Sequence, residues 1–295
     1  MIRNSLLCLG ATAFLVISTA PHVVEGRRLA PARRAALQSP AVPVGYCTSL
    51  KNLAAAKRAG FDYVEVSATE IAGLSDADFE KAAESAAAVG LPTPASNLFL
   101  PAALKVTGPA VDRDQQTAYV TKALDRLARL GVHVVVFGSG AARRVPEGFS
   151  RDQAVRQLVD FGRRAAALAR QHDITIVVEP LRTAETNIIN TAAEGLTLVE
   201  AVNDPGFQLM IDFYHLASEH EDPGIVGRAR EHLRHIHMAN PNGRVFPIAA
   251  DEFAYEPFFA NLRAIGYKGR ISIEATTQDL QTDAPRAIAL VRRAL

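Results

Sequence analysis

The sequence predicts one (β/α)8 barrel, a TIM barrel, preceded by a signal peptide and a short linker. Three observations point to it. From residue 43 onward, eight short runs rich in β-branched and apolar residues alternate with eight Ala/Leu/Arg-rich stretches of helical period. The runs show no in/out alternation, so they are buried on both faces, which demands a parallel sheet with right-handed helical crossovers. Eight is the number of strands that closes such a sheet into a barrel. An open doubly wound sheet would instead place a Gly-rich phosphate loop after the first run. Here Cys47-Thr48-Ser49-Leu50 follows, with no glycine.

The elements follow in order. Leu6 to Ser18 is an apolar run behind Met1-Ile2-Arg3-Asn4. It is short for a spanning helix and suits a signal-peptide core, with Ser18-Thr19-Ala20 as the small-residue cleavage site. Residues 1–20 are therefore read as a signal, and export to the periplasm or beyond as the destination. Residues 21–42, rich in Ala, Pro and Arg without period, read as a linker. The barrel occupies 43–295. Its strands are expected at 44–47, 63–66, 94–99, 133–137, 175–179, 208–212, 234–238 and 270–274. Its helices are expected near 49–59, 76–89, 113–130, 151–171, 192–202, 223–232, 256–265 and 282–294. Gly60, Gly90, Gly131 and Gly266 follow four of them, where a helix ends most cheaply in a left-handed residue.

Composition narrows the function. The chain is 48% hydrophobic and 21% charged, as globular chains are, and its net charge is +1. Residues 1–40 carry +4 of that charge, so the barrel carries −3 and has no basic footprint for nucleic acid. No later apolar run is long enough to span a bilayer. Cys47 is the sole cysteine after the signal, so the fold has no internal disulfide and stands on its core. Association into a homo-oligomer is left open by the sequence.

In such a barrel the active site forms at the C-terminal ends of the strands. Four consecutive strands end in a metal-ligating residue: Glu179, Asp212, His237 and Glu274. Three carboxylates converging in an apolar mouth repel one another and cannot stay charged unpaired. One divalent cation removes both difficulties. Three oxygens and one imidazole suit Mn²⁺ first, then Co²⁺, Mg²⁺ or Zn²⁺. His215, three residues past Asp212, is expected to bind a substrate hydroxyl. Glu65, at the end of the second strand, is placed in the mouth, as a further substrate contact or equally in a buried pair with an arginine. His235 is read as a structural residue on the other face of its strand. Gly138-Ser139-Gly140 with Arg143-Arg144 reads as a solvated arginine face rather than an anion cradle, and Phe253, Tyr255, Phe258 and Phe259 as core or interface.

The chain resembles the xylose-isomerase-like barrel superfamily of sugar isomerases and epimerases, with the ketose 3-epimerases as the nearest branch. The resemblance covers about residues 43–294. It rests on Glu179-Pro180 with Glu185-Thr186-Asn187 and Asn190-Thr191 behind it, on Asp212-Phe213-Tyr214-His215, on His235-Ile236-His237 and on Ile273-Glu274. It implies a metal held by Glu179, Asp212, His237 and Glu274. It also implies that Glu179 and Glu274 are the acid/base pair and that His215 and Glu185 contact the sugar. Two positions depart from the pattern. Arg182 and Thr183 stand where those epimerases have Asn-Arg. Gly243 stands where they have a sugar-binding arginine, with Arg244 beside it, and Arg244 is taken as the substitute.

The chemistry expected of this set is proton transfer next to a carbonyl. A cation that chelates the carbonyl and its neighbouring hydroxyl stabilises an enediolate. One glutamate removes the α-proton and the other returns one on the opposite face. The expected function is a metal-dependent isomerase or epimerase of a small carbohydrate. Two alternatives stand: a lyase or dehydratase that cleaves a keto-sugar or 3-keto-glycoside by the same abstraction, and a non-catalytic sugar-binding barrel.

Overall fold

The computed structural model describes residues 42–295, so the signal and nearly all of the linker read above lie outside the described residues. Eight parallel strands close a barrel in sequence order: β1 (Val44–Cys47), β2 (Tyr63–Ser67), β3 (Ala95–Asn97), β4 (Val134–Phe137), β5 (Thr175–Val178), β6 (Phe207–Asp212), β7 (Leu233–Met238) and β8 (Arg270–Ile273). β1 pairs with β8, which completes the ring. The helices are α1 (Leu53–Arg58), α2 (Ala68–Gly73), α3 (Asp76–Val89), α4 (Arg113–Arg129), α5 (Gly140–Arg143), α6 (Arg151–Arg170), α7 (Ala192–Val202), α8 (Phe213–Ser218), α9 (Ile225–Arg228), α10 (Glu256–Ala264) and α11 (Leu280–Ala294). No helix among the described residues is long and apolar enough to cross a membrane.

Local chemistry sets the main helices. Ser75, Asp112, Ser150, Thr191 and Asp279 each accept a hydrogen bond from a backbone N–H of the first turn of α3, α4, α6, α7 and α11. These caps satisfy donors that have no partner inside the helix. Gly90 closes α3 at φ +64°. The sequence expected a helix over 223–232. The structure has only α9 there, which begins after Pro223 and Gly224 and closes at Ala229, whose N–H bonds the Ile225 carbonyl. It adds α8, which starts directly after β6 on the Asp212 cap. α2, α5 and α8 span four to six residues, too short to show a helical period.

Two cores result. The large one lies between strands and helices, and it takes in Tyr255, Phe258 and Phe259, with Phe253 packed against it. The small one fills the barrel: Tyr63, Ala95, Val134, Val136, Val177 and Met210. The Tyr63 ring fits there because residue 45 is glycine; a β-carbon on Gly45 would fall 2.1 Å from a ring carbon. Above this apolar plug the interior turns polar. The pairing of β6 with β7 shifts register between Leu209 and Met210, and beyond the shift Asp212 stands opposite His237.

Candidate metal centre and active site

The four strand-end residues meet. Glu179, Asp212, His237 and Glu274 each offer one ligand atom, and these atoms all lie within 4.8 Å of one another. In Asp212, Glu274 and His237 one polar atom is held by a hydrogen bond from outside the cluster and the other faces it. Asp212 Oδ1 accepts from the Tyr214 N–H at 2.8 Å as the cap of α8, which leaves Oδ2. Glu274 Oε1 accepts from Asn97 Nδ2 at 2.9 Å, which leaves Oε2 3.2 Å from His237 Nδ1. His237 Nε2 is bonded to Glu65 Oε1 at 2.9 Å, which leaves Nδ1. Glu179 Oε2 packs on Gly138, where a β-carbon would fall 2.3 Å from the oxygen, so glycine is needed for the carboxylate to lie there. Glu179 Oε1 is buried, 3.5 Å from His237 Nδ1 and 3.8 Å from His215 Nε2, and hydrogen-bonds neither.

The electrostatics are those of a cluster short of positive charge. Burial, with the Glu179 and Glu274 charges beside it, pushes the Asp212 carboxyl up to about 7 against the pull of Arg244. Burial likewise raises Glu179. Glu274 is only partly buried, and against its desolvation His237 and Arg244 hold it down at about 2. An orphaned buried carboxylate oxygen, three convergent carboxylates and one imidazole nitrogen are a donor set that fits a divalent cation.

The residues named for substrate divide. His215 is 2% exposed and lines the cavity above the cluster, as do Glu185 and Arg244. His215 Nδ1 accepts the Arg182 N–H at 3.3 Å, so its proton sits on Nε2. Burial and the nearby Arg244 push its pKa down to about 3, which keeps it neutral. The Nε2–H has no protein partner and faces the presented oxygens of Asp212 and Glu179 at 3.6 and 3.8 Å. Arg244 reaches Glu274 Oε2 at 2.6 Å, Asp212 Oδ2 at 3.3 Å and Glu185 Oε1 at 3.6 Å, over the face of Tyr214. It does so from a left-handed backbone, φ +52°, after Gly243 at φ +88°. That turn brings the arginine into the site although it stands one residue later than the resemblance expects.

Three expectations are corrected. Glu65 is not in the mouth and does not line the cavity. It is fully buried beneath the cluster, with its oxygens bonded to His237, His235 and Ser272. His235 does not face the other side of its strand. Residues two apart share a face, and both histidines point into the barrel. Arg143 is not on a solvated face. It is fully buried, and its guanidinium donates to the carbonyls of Phe137 and Glu179 at 3.1 and 2.7 Å, tying the end of β4 to the residue after β5.

The cavity holds about 520 Å³, room for a small sugar. Its floor includes two residues that sequence reasoning passed over, Asn97 and Cys47. Asn97 ends β3, so the strand-end criterion that picks out the four cluster residues also reaches it.

A sequence profile of the xylose isomerase-like TIM barrel family matches residues 53–294, and the chain belongs to that family. Among characterised proteins it is 28% identical over 236 residues to an L-ribulose 3-epimerase of Methylomonas sp., covering 78% of this chain and 79% of that one. It is 27% identical over 230 residues to a D-psicose 3-epimerase of Agrobacterium fabrum, covering 73% and 75%. The crystal structure of a D-allulose 3-epimerase from Methylomonas sp. superposes with a TM-score of 0.76 at 25% identity, over 86% of this chain and 98% of that one.

Proposed function

We propose that the protein is a divalent-metal-dependent epimerase of free ketose sugars, inverting the carbon next to the carbonyl. The observation that carries the reading is the placement of Glu179 and Glu274. They follow strands three apart in the ring, flank His237 Nδ1, and face one cavity. A binder that only holds sugar needs no such opposed pair. The relatives support the same class, since they are named as an L-ribulose 3-epimerase and a D-psicose 3-epimerase.

In this reading Glu179, Asp212, His237 and Glu274 hold the ion, with Mn²⁺ the first choice. When bound, the ion polarises the substrate carbonyl and offsets the negative charge that develops there. Glu274, the carboxylate that the Arg244 guanidinium holds ionised from 2.6 Å, takes the α-proton. Glu179, whose buried carboxyl holds a proton more readily, delivers one to the opposite face. The His215 Nε2–H donates to a substrate oxygen, and Glu185 and Arg244 hold flanking hydroxyls. The signal read at residues 1–20 would place the enzyme outside the cytoplasm, which favours a free sugar over a phosphorylated one.

The test is the purified barrel with Mn²⁺ and a panel of ketoses, aldoses and 3-keto-glycosides, followed by proton NMR. A ketose should convert to its C3 epimer, and a chelator should stop the conversion. Release of an aglycone from a 3-keto-glycoside, with no epimer from any ketose, would replace the epimerase by a lyase.

A further inference from the structure

Beneath the rim cluster lies a closed polar network that proton transfer does not use. Glu65 is its centre, with no solvent exposure and no lysine or arginine bonded to it. His237 Nε2 lies 2.9 Å from its Oε1, and His235 Nε2 lies 2.8 Å from its Oε2. Ser272 Oγ donates to the same Oε2 at 2.5 Å. That spends the one serine hydrogen, so the Tyr63 hydroxyl, 2.8 Å away, is the donor to Ser272. Four side chains from β2, β7 and β8 thus aim their hydrogens, directly or through Ser272, at one carboxylate. Burying a carboxylate is costly unless its charge serves a partner.

We propose that Glu65 is a positioning residue that fixes which nitrogen of His237 faces the ligand cluster, with His235, Ser272 and Tyr63 clamping the carboxylate in place. An ionised carboxylate only accepts hydrogen bonds, so both histidines must carry hydrogen on Nε2. For His237 this makes Nδ1 the presented atom, 3.2 Å from Glu274 Oε2 and 3.5 Å from Glu179 Oε1. Outer carboxylates that hold a ligand imidazole in this way set its tautomer and raise its basicity. Glutamine cannot do the same for both rings. It offers one oxygen and one NH₂, so one histidine loses its acceptor. Leucine offers none. The inference rests on the ligand set proposed above but not on the substrate.

The test uses the ¹⁵N-labelled protein and Zn²⁺, a diamagnetic probe. Two-bond histidine spectra should place a proton on His237 Nε2 with and without Zn²⁺, with Nδ1 shifting on loading. Zn²⁺ affinity should fall about 10–100-fold in Glu65→Leu, and less in Glu65→Gln, the usual range for loss of such a partner. Ser272→Ala, which leaves the acceptor of His237 in place, should keep the proton on Nε2. A wild-type spectrum with the proton only on Nδ1 overturns the proposal even if Glu65→Leu fails to fold. So do Glu65 variants that bind Zn²⁺ within twofold of wild type. A wild type that binds no Zn²⁺ overturns the ligand set as well, whereas failure of every sugar to react leaves this proposal standing.

Discussion

Glu179→Gln and Glu274→Gln will each lose about 10²–10⁴-fold in turnover, the usual worth of a positioned acid or base. Glutamine keeps the volume and one oxygen but removes the titratable proton. The variants should therefore retain much of their metal while epimerisation stops. They should also differ. Glu179→Gln keeps Glu274, the proposed base, and should still exchange the α-proton with solvent from one face without completing inversion. Glu274→Gln should do neither. Turnover and exchange measured side by side by NMR check this. Two fully active, metal-loaded variants would remove both glutamates from the mechanism.

Asp212→Ala combined with His237→Ala will remove most of the bound ion. Both side chains are buried and both offer one atom to the cluster, so two of the four proposed ligands disappear. Elemental analysis should find about one Mn²⁺ per wild-type chain and close to none in the double variant. Linkage adds a second readout. An ion that binds only the folded chain stabilises it by about 2.7 kcal/mol at one hundred times its dissociation constant. Chelation should therefore lower the melting temperature of wild type and leave that of the double variant unchanged. Equal metal content in the two proteins would refute the assignment.

The barrel was legible because both signals behind it are long-range averages. Eight apolar runs and the helical stretches between them survive errors at any single boundary, and capping residues such as Ser75 and Asp279 sharpen the ends. The four residues that meet in the cluster were legible because polar residues at the ends of apolar strands are costly without a partner. What stayed hidden depends on direction and on short loops. His235 shares the inward face with His237, as the two-residue strand period requires. Glu65 lies two residues beyond Tyr63 on the inward face of β2, but only the closed ring shows that β7 and β8 supply its donors. Arg143 looks like a surface charge in a Gly/Ala/Arg stretch. Its burial follows from the four-residue helix α5, which no period announces. Arg244 enters the site through consecutive left-handed residues at Gly243 and Arg244, and for arginine that conformation is not written in composition.

The most direct test of the account is deuterium incorporation at C3 when a ketose such as D-psicose is incubated in D₂O with the Mn²⁺-loaded protein. Proton removal by one glutamate and return by the other predicts that the C3 epimer carries deuterium at C3 from its first appearance. An epimer formed with its original C3 hydrogen, or no exchange from any ketose while Mn²⁺ is bound, would contradict it.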